Sequence, residues 1–163
     1  MGGNKRMNIH FVCTGNTFRS RLAEAYLRSK NVPDVEVSSS GIKAHENKNG
    51  PITWYAARLI KHFSLVPHMS FAWTKTSPSH LKNVDIVIFM DKAHHHHSQA
   101  ELGFRGKRFK VWDIPDLEDL GFDRETGGNI HEDAKRMKAT EQIFDQIKRK
   151  VDTLTISLSK RLP

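Results

Sequence analysis

The sequence predicts an α/β fold in three layers, a four-stranded parallel sheet with helices on both faces. Two observations carry that prediction. Short runs rich in branched apolar residues alternate with segments of helical periodicity, and the stretches between runs are long enough for right-handed crossover helices. A third concerns function: Cys13, Met90 and Trp112 each close an apolar run. In such sheets ligands bind beyond the carboxyl ends of the strands, so the turns after these residues should meet on one side.

The elements follow in order. MNIHFVC (7–13) is a short apolar run ending in a Gly-containing turn, and RSRLAEAYLRSK then places Leu22, Ala23, Tyr26 and Leu27 on one helical face. VEVSS (35–39) reads as the second strand and GIKAHENKNG as a polar loop. PITWYAARLIKHF (51–63) opens with Pro at a first-turn position and reads as the second helix. VDIVIFM (84–90) is the most continuous apolar segment and belongs at the sheet centre, covered on both faces. DKAHHHHSQAEL predicts a helix, KRFKVW (107–112) the fourth strand, and DIPDLEDLGFDRETGGN a long loop of the kind that usually carries function. From His131 onward apolar residues recur at helical spacing and predict one long amphipathic closing helix.

A chain of 163 residues suits one domain, expected over 7–163 after a flexible tail at 1–6. The balance of 26 Lys and Arg against 18 Asp and Glu favours anionic partners without choosing among them. No apolar run has the length of a signal peptide or membrane span, so neither a membrane location nor secretion is expected. A single cysteine excludes an internal disulfide and a cysteine-rich zinc site, and it suits the reducing cytoplasm. The tract His94 to His97 lacks carboxylate or thiol companions at metal-ligand spacing, so no metal and no cofactor are expected. The basic closing helix lacks interleaved aromatics, so it reads as a solvated face and not a nucleic-acid surface.

The chemistry concentrates at CTGNTFRS (13–20). A loop turning from a strand into a helix points backbone N–H groups inward, and the helix N-terminus adds positive partial charge, which favours both a bound phosphate and a thiolate. Cys13 is therefore the candidate nucleophile, and Arg19 can grip two phosphoryl oxygens in bidentate fashion. Thr14, Gly15, Asn16, Thr17 and Phe18 form the loop between them; Ser20 can donate to the sulfur, Gly15 supplies backbone freedom, and Asn16 can brace the turn. The leaving group needs a proton, and WDIPDLED offers Asp113, Asp116 and Asp119.

FVCTGNTFRSRLAEA resembles the signature of the low-molecular-weight protein tyrosine phosphatase family, Cys-x-Gly-Asn-x-x-Arg-Ser followed by AEA. SSSG (38–41), VDIVIFMD and IPDLED are similar to further family segments, so the resemblance runs along nearly the whole chain. It implies a metal-free, two-step hydrolysis of phosphomonoesters through phosphocysteine, with Asp116 as the acid and with Ser39 and His68 joining Asn16 and Ser20 in supporting the loop. The substrate it implies is a phosphorylated protein or small phosphomonoester, phosphotyrosine first, handled by a monomer or weak dimer.

Departures from the pattern raise alternatives. Thr17 resembles the arginine-phosphatase branch, where Thr replaces the Ile of tyrosine-specific members. Phe18 stands where a second cysteine is frequent, so a protective disulfide cannot form. Arg21 replaces Pro and adds a charge that could recruit anionic substrates. Leu117 stands in the acid loop in place of cleft-walling residues, and His45, Trp54 and Leu117 are the candidates to rebuild the rim. Arsenate reduction on the same fold lacks its relay cysteines here. A phosphopeptide-binding module with weakened catalysis is the non-enzymatic alternative.

Overall fold

The computed structural model describes residues 5–46, 48–123 and 129–160. Four strands, β1 (Met7–Cys13), β2 (Val35–Gly41), β3 (Ile86–Phe89) and β4 (Phe109–Val111), form one parallel sheet in the order β2-β1-β3-β4. Helices α1 (Arg19–Ser29), α2 (Trp54–His62), α3 (Pro78–Lys82), α4 (Lys92–Glu101) and α5 (Ile130–Ser159) make the crossovers and the closing helix.

The two-residue period of the strands sorts the core into two halves. Ile9, Phe11 and Cys13 of β1, with Ile86 and Ile88 of β3 and the following Met90, enter the large cluster that α1, α2 and α5 cover. Val12, Val87 and Phe89 face the other way, against Leu81 of α3 and Phe104 beyond α4. Both inner strands are thus buried on both faces, as the nearly continuous apolar reading of VDIVIFM requires. The closing helix adds Ile143, Phe144, Ile147, Val151, Leu154 and Leu158 at helical spacing, all buried.

Boundaries differ from the sequence reading in instructive ways. The second helix starts at Trp54 instead of Pro51, because Thr53 is still extended and its backbone N–H donates to Thr17 O at 3.1 Å. The short α3 was not expected. It begins with a capping box in which the Ser77 and His80 side chains exchange bonds with each other's backbone. Residues 1–4 of the expected tail lie outside the described residues; Lys5 and Arg6 pair with Asp85 and Glu36.

The carboxyl ends of the strands converge as the topology demands. Met90 N–H donates to Val12 O, Trp112 N–H to Phe89 O, and Ile114 N–H to Met90 O, which stitches the loops after β1, β3 and β4 side by side.

Candidate active site

Cys13 ends β1, buried, with the phosphate loop wrapping from it into α1. Its Sγ lies 2.9 Å from Ser20 Oγ and accepts the Asn16 backbone N–H at 3.2 Å. The sulfur is thus held in place by the loop backbone and by the first turn of α1. Asn16, not Gly15, holds the left-handed conformation in the loop, with φ 54°, a region Asn tolerates because its side chain can bond locally. That side chain is fully engaged: Nδ2 donates to Ser20 Oγ and Ser39 Oγ, each at 2.9 Å, and Oδ1 accepts Thr74 N–H at 3.0 Å.

The loop is pressed against its neighbours closely enough to dictate residue types. A Cβ at Gly41 would lie 2.6 Å from both Asn16 N and Thr14 O, so the last residue of β2 must be glycine. Trp73 covers the other side, donating Nε1–H to Gly15 O at 3.1 Å.

Arg19 leaves the first turn of α1 buried and is held at three points. Nη1 donates to Ile114 O at 2.8 Å, and Nη2 donates to Thr14 Oγ1 at 3.3 Å and to Asp116 Oδ2 at 3.0 Å. The anion clamp and the candidate acid therefore share one face, and both border a narrow cavity with Cys13, Gly15, Thr17 and Phe18. Of the other acids, Asp119 accepts Asp116 N–H at 2.8 Å and shapes the loop, while Asp113 is exposed.

The family model for low molecular weight phosphotyrosine protein phosphatase matches residues 8–162. The chain belongs to that family. Two relatives are protein-arginine-phosphatases. One, from Geobacillus stearothermophilus, is 50% identical over 44 residues, 27% of this chain and only 30% of the relative's length. The other, from Bacillus subtilis (strain 168), is 35% identical over 111 residues, 64% of this chain and 70% of that one. Among solved structures, Vibrio vulnificus Wzb in complex with benzylphosphonate aligns with a TM-score of 0.70 at 21% identity, over 93% of this chain and 98% of that chain, which shows the same fold.

Within this phosphatase-family frame several expected residues take other places. Leu117 is no rim residue: it is wholly buried in the main core, because the turn at Glu118–Leu120 folds its side chain under the acid loop. Trp54 is half exposed and meets Tyr55 edge-on, and His45 pairs with Glu46; neither borders the cavity. The wall is instead Asn49, Thr53 and Tyr55, with Tyr55 set edge-on to Phe18 at 5.0 Å. Phe18 thus turns the position of the missing cysteine into a core contact.

His68 stands outside the loop-supporting network, whose outer members are Ser39, Glu24, Trp73 and Thr74. Arg21 recruits nothing from solvent. It is 1% exposed, and its Nε donates to Asn16 O at 3.0 Å and Pro51 O at 3.3 Å, while Nη1 lies 3.5 Å from Glu24 Oε2. Burial lowers the Arg21 pKa, and the nearby Glu24 and Cys13 pull it back up.

Sequence reasoning also missed His94. The first of the four tract histidines is buried with Nε2 2.9 Å from Thr14 Oγ1. Burial, then the Arg19 charge, lowers its pKa to about 3, so the ring is neutral at working pH. The available signal was its place one turn into the helix that follows Met90. Among the described residues no group of three His, Cys, Asp or Glu side chains could hold a metal ion.

Proposed function

We propose that this protein hydrolyses phosphorylated protein side chains through a phosphocysteine, with phosphoarginine as the preferred substrate. The observation that carries the mechanism is the arrangement of Cys13 Sγ under two donors with the Arg19–Asp116 pair across the same cavity. The thiolate attacks phosphorus while the bond from phosphorus to the leaving nitrogen or oxygen breaks. Arg19 and the loop N–H groups take up the charge on the equatorial oxygens. Asp116, in its acid form, gives the leaving group its proton, and as carboxylate it then takes one from the water that cleaves the sulfur–phosphorus bond. Inorganic phosphate leaves and the thiolate is restored. The scheme draws on no metal or cofactor.

The character of the wall supports the guanidinium over the phenol. A phosphotyrosine ring is best received between apolar or aromatic surfaces. Here Leu117 is withdrawn into the core, and the two aromatics that line the cavity, Phe18 and Tyr55, are buried and packed edge-on against each other; the polar wall of Thr17, Asn49, Thr53 and Asp116 carries oxygens that suit the N–H donors of an arginine side chain. The names of the two relatives point the same way. A single catalytic domain acting as a monomer or weak dimer in the cytoplasm completes the reading, since Cys13 must stay a free thiol.

The test compares kcat/KM on peptides of one sequence carrying phosphoarginine or phosphotyrosine, for the wild type and for Thr17→Ile. Wild type should favour phosphoarginine, and Thr17→Ile should move the ratio at least ~10-fold toward phosphotyrosine. Turnover of phosphotyrosine alone by the wild type would overturn the substrate preference, and undiminished activity of Cys13→Ser would overturn the mechanism.

A further inference from the structure

Away from the Cys13 end, a cleft of about 610 Å³ opens among α3, the start of β3 and the link from α4 to β4. Its volume is in the range of ordinary ligand sites. The floor is apolar, built from Leu81, Val87 and Phe104 of the smaller core cluster. The rim is cationic, with Lys82, Lys107 and Arg108 all exposed. One acid, Asp85, lines the cleft, and its carboxylate is already engaged by Asn8 N–H at 2.9 Å and by Lys5 at 4.0 Å. An adjoining cavity of about 410 Å³ shares Lys107 and Arg108 and continues along β4 past Phe109 to Lys110. β4 is the sheet edge, and among the described residues no strand pairs with its outer side.

We propose that this cleft and the open edge of β4 form a docking site for an extended acidic segment of a partner protein. Among the described residues Lys82, Lys107 and Arg108 of the cleft and Lys110 of the adjoining cavity make no ion pair, and Arg105, also in the cleft lining, gives Nη1 only to the backbone oxygens of Gln99 and Phe104, so the cations that an anionic occupant would meet are not neutralised by a carboxylate. The apolar floor asks for a large apolar side chain, which a bare oxyanion lacks. Two cavities in a row along an unpaired strand fit a chain that pairs its own backbone with the edge and places alternate side chains in pockets. A nucleic-acid strand would need free aromatic faces for its bases, whereas the Phe109 ring is already stacked on His95 at 4.2 Å. The site is independent of which phosphorylated residue Cys13 attacks, and the experiment reads binding without turnover.

The measurement is fluorescence anisotropy of the full chain with a labelled ten-residue peptide alternating Glu with Leu or Phe. Comparison probes are the same peptide with Lys for Glu, the same peptide with Ser for its apolar residues, and a single-stranded DNA ten-mer. The acidic peptide should bind, weaken as salt rises, and lose at least ~10-fold affinity in the exposed triple variant Lys107→Glu, Arg108→Glu, Lys110→Glu. The Lys and Ser peptides should bind several-fold more weakly, and p-nitrophenyl phosphate turnover by the triple variant should match wild type. Equal binding by the triple variant, equal binding of the Ser peptide, or tighter binding of the DNA would each overturn the proposal.

Discussion

Arg21 Nε donates to the backbone oxygen of Asn16 at 3.0 Å from a side chain that is almost wholly buried, and the same nitrogen reaches Pro51 O at 3.3 Å. One guanidinium therefore ties the phosphate loop to the segment that leads into Thr53 and Tyr55. Its charge is balanced by Glu24, which also pairs with Arg28 at 2.8 Å and accepts Ser39 Oγ–H. Removing one member of a buried ion pair strands the other, at about 3 to 5 kcal/mol. Arg21→Met is expected to lose about 3 kcal/mol in urea unfolding and to reduce kcat, because two carbonyls that set the loop lose their donor. Arg21→Lys should restore part of the stability and little of the rate, since a point charge cannot reproduce the directed Nε–H bond. Full activity in both variants would show that the tie is dispensable.

The Arg19–Asp116 contact at 3.0 Å sets a competition in the resting site. The Nη2 that holds Asp116 is one of the groups a phosphoryl oxygen needs. Asp116→Asn should therefore divide the two steps: kcat for phenyl phosphate falls about 10²-fold or more, as for loss of a general acid. At the same time phosphate should inhibit at lower concentration, because Arg19 is no longer neutralised. Weaker phosphate inhibition in Asp116→Asn would count against this reading of the contact.

What the sequence made legible, and what it hid, divides by range. The Cys13 to Ser20 loop could be read because its chemistry is local: a strand end, a turn and a helix start within eight residues put sulfur, N–H groups and guanidinium together. The apolar runs that became β1 and β3 were equally local. Trp73 and His94 were not legible, because each acts on the loop across a tertiary contact, Thr14 and His94 being 80 positions apart; Arg21 bonds the loop locally but was read as facing solvent, because its burial depends on the Pro51 segment packed over it. Leu117 was misplaced for a related reason, as alignment gives its position along the chain but not which way a short turn faces it.

Leu117 gives a direct stability test. Its side chain is fully buried while its backbone carries the acid loop, accepting Leu120 N–H and Phe122 N–H, each at 3.0 Å. Leu117→Ala should cost about 2 to 5 kcal/mol, the range for an emptied leucine site. Trp54→Ala, at a half-exposed position, should cost far less. Thermal unfolding of both variants decides between core and rim, since a rim leucine would give the opposite ranking.

Two buried histidines predict the acid limb of the stability curve. His10 lies between Ser38 Oγ and Ser40 Oγ, each at 2.7 Å, with the His80 ring stacked 5.4 Å away. Burial, then the His80 charge, lowers its pKa to about 3. His94 faces Thr14, with Arg19, His97, Asp91 and Asp116 acting on it, and is lowered to about 3 as well. In the unfolded chain both rings return to the ordinary value near 6.5. Between about pH 3 and 6.5 the unfolded state thus binds more protons than the folded one, so stability rises with pH across that window. The contribution is fully present above pH 6.5 and is lost as pH falls toward 3. Each histidine adds a limiting slope of about 1.4 kcal/mol per pH unit, so the pair adds about 2.7 near pH 5. Urea midpoints measured from pH 7 to 4.5 should show this fall, and His10→Gln should remove about half of the slope. A flat profile across that range would mean that the two rings take up protons without unfolding the sheet around them.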